Sequence, residues 1–124
     1  MASPNIINAS SIVGLTTYIS LSTTNESVVL SNPASSNKVL KLNNIIVANV
    51  DGTNSADITL SYRSAAAGGG TAYKLANTVA VAADSVLVAL DRSSSIYMEE
   101  NTSVTATASA GGDIDIICSY EVIS

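Results

Sequence analysis

The chain has 124 residues with ten acidic and five basic side chains, a net charge of −5, one Cys, and no His, Trp or Phe. Without His there is no Ser-His-Asp or Cys-His pair and no ordinary zinc set. Lys38, Lys41, Arg63, Lys74 and Arg92 stand singly, so there is no basic patch for nucleic-acid phosphates and an anionic membrane would repel the chain.

Residues 1–15 are expected to form an extended arm. Pro4 and the Asn/Ser content disfavour a helix, and Ile6, Ile7, Ile12, Val13 and Leu15 lack clean periodicity. An arm reaching a neighbouring subunit and an ordinary first edge strand both fit these residues. The start lacks a basic segment followed by a long apolar one, so no secretory leader is expected. No apolar run approaches the ~18 residues of a membrane helix, and synthesis in a cytoplasm follows.

From Thr16 onward strand signals recur. Thr17–Leu21 alternates, and Ser27–Leu30 is an apolar run closed by a turn cluster at 31–37. Residues 38–49 hold two pieces, Val39–Leu42 and the apolar Ile45–Ala48, the second suited to a central strand. The loop 49–55 contains Gly52 for a positive φ, and Ala56–Arg63 alternates with Ile58, Leu60 and Tyr62 inward; this spacing predicts a hairpin. Ser64–Gly70, with three glycines, reads as a flexible loop. Strands are expected at 71–76 and 85–90, with an approach and a turn between them, although the Ala/Val-rich stretch 77–90 also accommodates a short helix. Ile96–Met98 is short, 99–101 is a polar turn, and 103–108 is a Thr/Val/Ala strand.

The last strand carries the clearest pattern. Along 113–123, Ile114, Ile116, Cys118, Tyr120 and Val122 fall on one face; Asp113, Asp115, Ser119 and Glu121 fall on the other, with Ile117 and Ile123 as apolar exceptions. Together these elements predict an all-β protein: one antiparallel β-sandwich or jelly-roll-like domain of about eight strands over 16–124, preceded by the arm 1–15. Charged residues make up only 12% of the chain against a usual quarter, which leaves a Ser/Thr/Asn surface short of the charges that keep monomers apart.

Little here can carry chemistry. Cys118 lies on the apolar face and reads as a buried thiol. Asp113 with Asp115, and Asp51 with Asn54, fall far short of the six to eight oxygens that Ca²⁺ takes. Glu99 and Glu100 read as part of a polar turn, and on a strand they would point to opposite faces and not act as a pair. The sequons at Asn8, Asn25 and Asn101 are chance in a Ser-rich chain, and the triple glycine precedes no Gly-Lys-Ser/Thr. Tyr62, Tyr73, Tyr97 and Tyr120 suit core-edge packing, or a sugar-stacking platform if their rings cluster on the surface. No catalytic, metal or cofactor residue is assigned, and no enzyme activity is expected.

Several segments resemble a known group. They are Ile45-Ile46-Val47-Ala48-Asn49-Val50-Asp51-Gly52, Asp57-Ile58-Thr59-Leu60-Ser61-Tyr62, Tyr73-Lys74-Leu75-Ala76, Val79 to Ser85, Ile96 to Ala106, and Cys118-Ser119-Tyr120-Glu121. Over roughly residues 38–123, with the arm 1–8, the chain resembles small virion structural proteins of tailed bacteriophages, especially those of aquatic and cyanobacterial hosts. The resemblance implies a β-sandwich module in the virion, without catalytic residues. Its partners would be other copies of itself and other virion proteins, the major capsid or tail proteins. The expected role is a head decoration or cement protein, with a tail, neck or fibre-attachment component as a variant. A host-surface carbohydrate-binding module is the rival.

Overall fold

The computed structural model describes residues 4–124. Nine strands follow one another: β1 (Ile12–Leu21), β2 (Ser27–Asn32), β3 (Val39–Asn49), β4 (Ala56–Arg63), β5 (Ala72–Val81), β6 (Val86–Leu90), β7 (Ile96–Met98), β8 (Thr102–Ala108) and β9 (Ile114–Ile123). They form two antiparallel sheets. One has five strands in the order β1-β9-β3-β6, with β7 also paired to β3; the other has four in the order β2-β8-β4-β5. The all-β sandwich expected from the alternating pattern is therefore observed.

Alternation explains the core. Ile114, Ile116 and Cys118 of β9, Leu42, Ile45 and Val47 of β3, Ile58 and Leu60 of β4, and Val104 and Ala106 of β8 are all fully buried between the sheets. Removing each large apolar side chain from water stabilises the fold by roughly 1.5–3 kcal/mol. β3 is one central strand rather than two pieces, because a bulge between Leu42 and Asn44 absorbs the break in the pattern. β5 likewise runs unbroken through Val79 and Val81, and the 77–90 region contains no helix.

Two local expectations are corrected. The segment 39–63 is not a hairpin: β3 and β4 lie in different sheets, and the 50–55 loop crosses between them. Gly52 does not have the positive φ of a tight reversal. Instead the fully buried Asn49 holds the crossing, donating from Nδ2 to the carbonyls of Asn54 (3.0 Å) and Val81 (2.9 Å) and accepting from the Asp51 amide (2.9 Å). Asn32 does the same at another crossing, donating to the carbonyls of Lys38 (2.9 Å) and Met98 (3.1 Å) and accepting from Ser36 Oγ (2.6 Å). Each asparagine links strands of opposite sheets, and every buried donor and acceptor on it finds a partner.

The glycine-rich segment is also anchored rather than loose. Residues 66–68 make a 3₁₀ turn, and the amides of Ala66, Ala67 and Gly68 donate to the side chains of Asn101, Ser31 and Ser103 at 3.0–3.1 Å. Gly70 has φ +71°, and a Cβ there would lie 2.4 Å from Ser64 Oγ, so only glycine fits.

At the start of the chain, β1 begins at Ile12, inside the expected arm 1–15, and pairs with β9 from Ile12↔Ile123 to Leu21↔Ile114 without a shift. The Ser10 and Ser11 amides donate to the Ser124 carbonyl, and the Ser124 amide donates back to Ser11. Pro4 and Ile6 share a shallow pocket with Val39, Tyr97 and Glu99. Pro4 and Ile6 thus lie against one end of the sheet, where Val39 and Ile123 are buried on the outward side.

Candidate interaction surface

The functional question falls on the outer faces of the two sheets. Residues paired across antiparallel strands share a face, so the register defines each rung. On the five-stranded sheet, Tyr18 pairs with Ile117, Ile117 with Ile46, and Ile46 with Val88. This outward rung is apolar from one margin of the sheet to the other. Tyr18 is 80% exposed, Val88 55% and Ile117 46%. The next rung adds Ala48 and Val86, the latter 59% exposed. Three inter-strand steps of ~4.8 Å make the band about 14 Å long between strand axes, which is a contiguous apolar surface rather than scattered single residues.

Polar groups frame the band. Ser20 Oγ donates to Asp115 beside Tyr18, where a cleft of about 260 Å³ is lined by Tyr18, Ile19, Ser20, Asp115, Ile116 and Ile117. On the far side, Asn44 Oδ1 accepts from the Ser119 amide and Asn43 Nδ2 donates to Glu121. A second concavity opens between β2 with its following turn and the β3–β9 pair. It is a cleft of about 360 Å³ lined by Leu30, Leu40, Tyr120 and Val122 with Pro33 and Lys38 at its rim.

The residues weighed for chemistry do not come together. Asp51 caps its own turn: hydrogen bonds from the Thr53 amide and then the Asn54 amide hold its carboxyl below the usual range. Glu100 accepts from the Asn37 amide, whereas Glu99 lies by Pro4 and Ile6. No group of three His, Cys, Asp or Glu able to hold a metal occurs among the described residues. Cys118 is fully buried, and burial pushes its thiol up to about 12, so it is not a nucleophile at neutral pH. The tyrosines are dispersed. Tyr18 and Tyr97 stand at opposite margins of the five-stranded sheet, Tyr73 is on the other sheet, and Tyr62 and Tyr120 are half-buried. The clustered rings that a sugar platform requires are not assembled.

The band itself was only half visible in the sequence. Ile117 appeared there as an exception to alternation on a polar face, and Tyr18, Ile46 and Val88 had no mark of belonging to the same rung. Register, which local sequence does not specify, brings them together.

No protein family and no curated protein sequence matches this chain. Solved structures do resemble it. A subunit of the disulfide-linked pili that form Bacillus endospore appendages superposes with a TM-score of 0.54 at 16% identity, covering 92% of this chain and 88% of that one. A chain of the capsid of Ralstonia phage GP4 gives 0.47 at 15% identity, covering 98% and 90%. Clostridium thermocellum xylanase 10B, with its CBM22-1 and GH10 modules bound to xylohexaose, gives 0.30 at 12% identity, over 98% of this chain and 27% of that one. The first likeness shows a shared fold. The disulfide link of those pili has no counterpart inside this domain, because its single cysteine is buried.

Proposed function

We propose that this chain is a non-enzymatic structural subunit of a virion, a head decoration or cement protein acting through repeated protein–protein contacts. The observation that carries the reading is the exposed apolar band Tyr18–Ile117–Ile46–Val88 on a sandwich with few charged residues. A monomer gains nothing from leaving such a rung in water, whereas covering it stabilises an assembly by roughly 25 cal/mol per Å² of apolar surface removed from water. The fold shared with a pilus subunit fits a building block of an assembly. Placement on the tail or neck uses the same contacts and differs in copy number.

The test is to purify particles from cells expressing this chain with the other virion proteins and to locate the chain by electron cryomicroscopy. Density for hundreds of copies on the head is the expected outcome; a few to dozens at the neck or tail selects the variant. A Val88→Lys, Ile117→Lys chain that stays folded should be missing from the particle. Full incorporation of that variant, or absence of the wild-type chain from particles, overturns the proposal.

A further inference from the structure

A sheet edge is a row of unpaired amides and carbonyls, and folded proteins normally obstruct it. Of the strands at the margins of this sandwich, all but one are obstructed. β2 has six residues, a bulge between Val28 and Leu30, and Pro33 immediately after it. β5 is long but shifts register twice against β4, carries Lys74, and turns left-handed at Thr78 (φ 53°). β6 and β7 have five and three residues and share one side of β3 in two separate pieces.

β1 is different in every respect. It runs ten residues, Ile-Val-Gly-Leu-Thr-Thr-Tyr-Ile-Ser-Leu, with no charge and no proline. Its pairing with β9 is unbroken over ten positions, so no bulge interrupts it. Among the described residues no strand pairs with its far side. Ile12 (57%), Val13 (48%), Leu15 (44%) and Tyr18 (80%) are all exposed along it.

We infer that β1 is the strand through which two copies of this chain join, pairing antiparallel about a two-fold axis normal to the five-stranded sheet. The inference deepens the assembly reading above but rests on a different feature of the surface. The occupant is a second copy for two reasons. The other margins cannot supply a long unobstructed partner strand, so the match for β1 is another β1, which is what an isologous two-fold requires. The charge pattern agrees: each copy carries −5, and an uncharged margin is where two such chains approach without like charges meeting. A two-fold normal to the sheet keeps outward positions outward, so Ile12 and Tyr18 meet the partner's outer row while Val13 and Leu15 meet its inner row.

Area sets the strength. A ten-residue strand is about 33 Å long, and with side chains on both faces roughly 10 Å deep, giving about 330 Å² per copy. A stable interface uses about 800 Å² per partner, so this contact belongs to the weak, small class. It is a dimer of high concentration that an assembly holding many copies reinforces.

The experiment is analytical ultracentrifugation of the full chain from 5 to about 500 µM, with hydrogen exchange of the β1 amides at both ends of the range. Dimer formation with slower exchange along 12–21 is expected. Thr16→Lys, at an exposed outward position on β1 and outside the apolar band, should weaken the dimer on the order of 10- to 100-fold, because a charge is placed on the pairing edge. Tyr73→Lys on the β5 margin should leave it unchanged, and circular dichroism should show both variants folded. A wild-type chain that stays monomeric at 500 µM, a dimer indifferent to Thr16→Lys, or one lost with Tyr73→Lys overturns the inference. Particle incorporation separates it from the proposed function. Incorporation of a strictly monomeric chain sinks the dimer alone, and a dimer absent from particles sinks the virion role alone.

Discussion

The two sheets present alike inner faces and opposite outer ones. Inside, both supply branched aliphatic side chains with no solvent exposure. Outside, the four-stranded sheet is finished: its rungs are Thr59–Thr107, Ser61–Thr105 and Arg63–Ser103. Arg63 makes a two-pronged ion pair with Glu26 (2.6 and 2.8 Å), and the 66–68 turn is tied to β2 and β8 by Ser31 and Ser103. Its polar groups are satisfied within the chain. The five-stranded sheet shows the apolar Tyr18–Ile117–Ile46–Val88 rung instead, and its β1 margin is open. The outer row of one sheet is polar and bonded within the chain, whereas that of the other is apolar and exposed at Tyr18, Ile117 and Val88.

The largest test concerns the equality of the inner faces. Ile116→Ala on the five-stranded sheet and Leu60→Ala on the four-stranded one each remove a fully buried side chain. Each should cost about 3–4 kcal/mol in chemical denaturation, since the cavity term adds to lost transfer energy. A cost below about 1 kcal/mol at either position would mean that one sheet is a mere cover. The crossings come next. Asn49→Ala leaves the Asn54 and Val81 carbonyls without that donor and the Asp51 amide without that acceptor, and should cost about 2–3 kcal/mol. Asn32→Ala should match it within about 1 kcal/mol, because Asn32 also makes three bonds and is equally buried. A much smaller loss at Asn32 would show that the sheets are fastened mainly at the Asn49 end.

These crossings mark how far local pattern carries. The period-two alternation of 113–123 and 56–63 identified the fold class and the core residues Ile58, Leu60, Ile114, Ile116 and Cys118. It did not identify which strands pair. The short 49–55 link reads as a hairpin because proximity in sequence usually means pairing, yet buried Asn49 diverts it to the opposite sheet. Ser64–Gly70 reads as loose because its anchors, Ser31, Asn101 and Ser103, are more than thirty positions away. The interaction surface was the least legible part. Its members come from β1, β3, β6 and β9 and become one surface only through register.

A smaller test contrasts the outer faces directly. Val88→Thr keeps the shape and β-propensity of an exposed position, so stability should change by less than about 0.5 kcal/mol while particle binding weakens. Thr107→Val on the other face should be as mild in stability and silent in association. If Thr107→Val creates association as strong as the native band, the band owes its effect to bulk hydrophobicity and not to its place on the sheet.

The smallest expected effect belongs to the finished face. Hydrogen bonds from Arg63 and then Thr105 hold the Glu26 carboxyl below its ordinary value of 4.5. A carboxyl lowered on folding contributes stability that is fully present above its unfolded pKa and is lost as pH falls through the lower folded value. The pair is substantially exposed, with side-chain accessibilities of 19% for Arg63 and 36% for Glu26, so solvent screening limits the contribution to on the order of 0.5 kcal/mol. Glu26→Gln should therefore lower Tm slightly and evenly between about pH 6 and 8, and the gap should close as the pH drops below 4.5. Added salt should shrink the gap as well. A gap that persists unchanged in acid would mean that Glu26 acts through packing on Thr105 rather than through charge, and the outer face of the four-stranded sheet would then owe its finish to shape instead of to its ion pair.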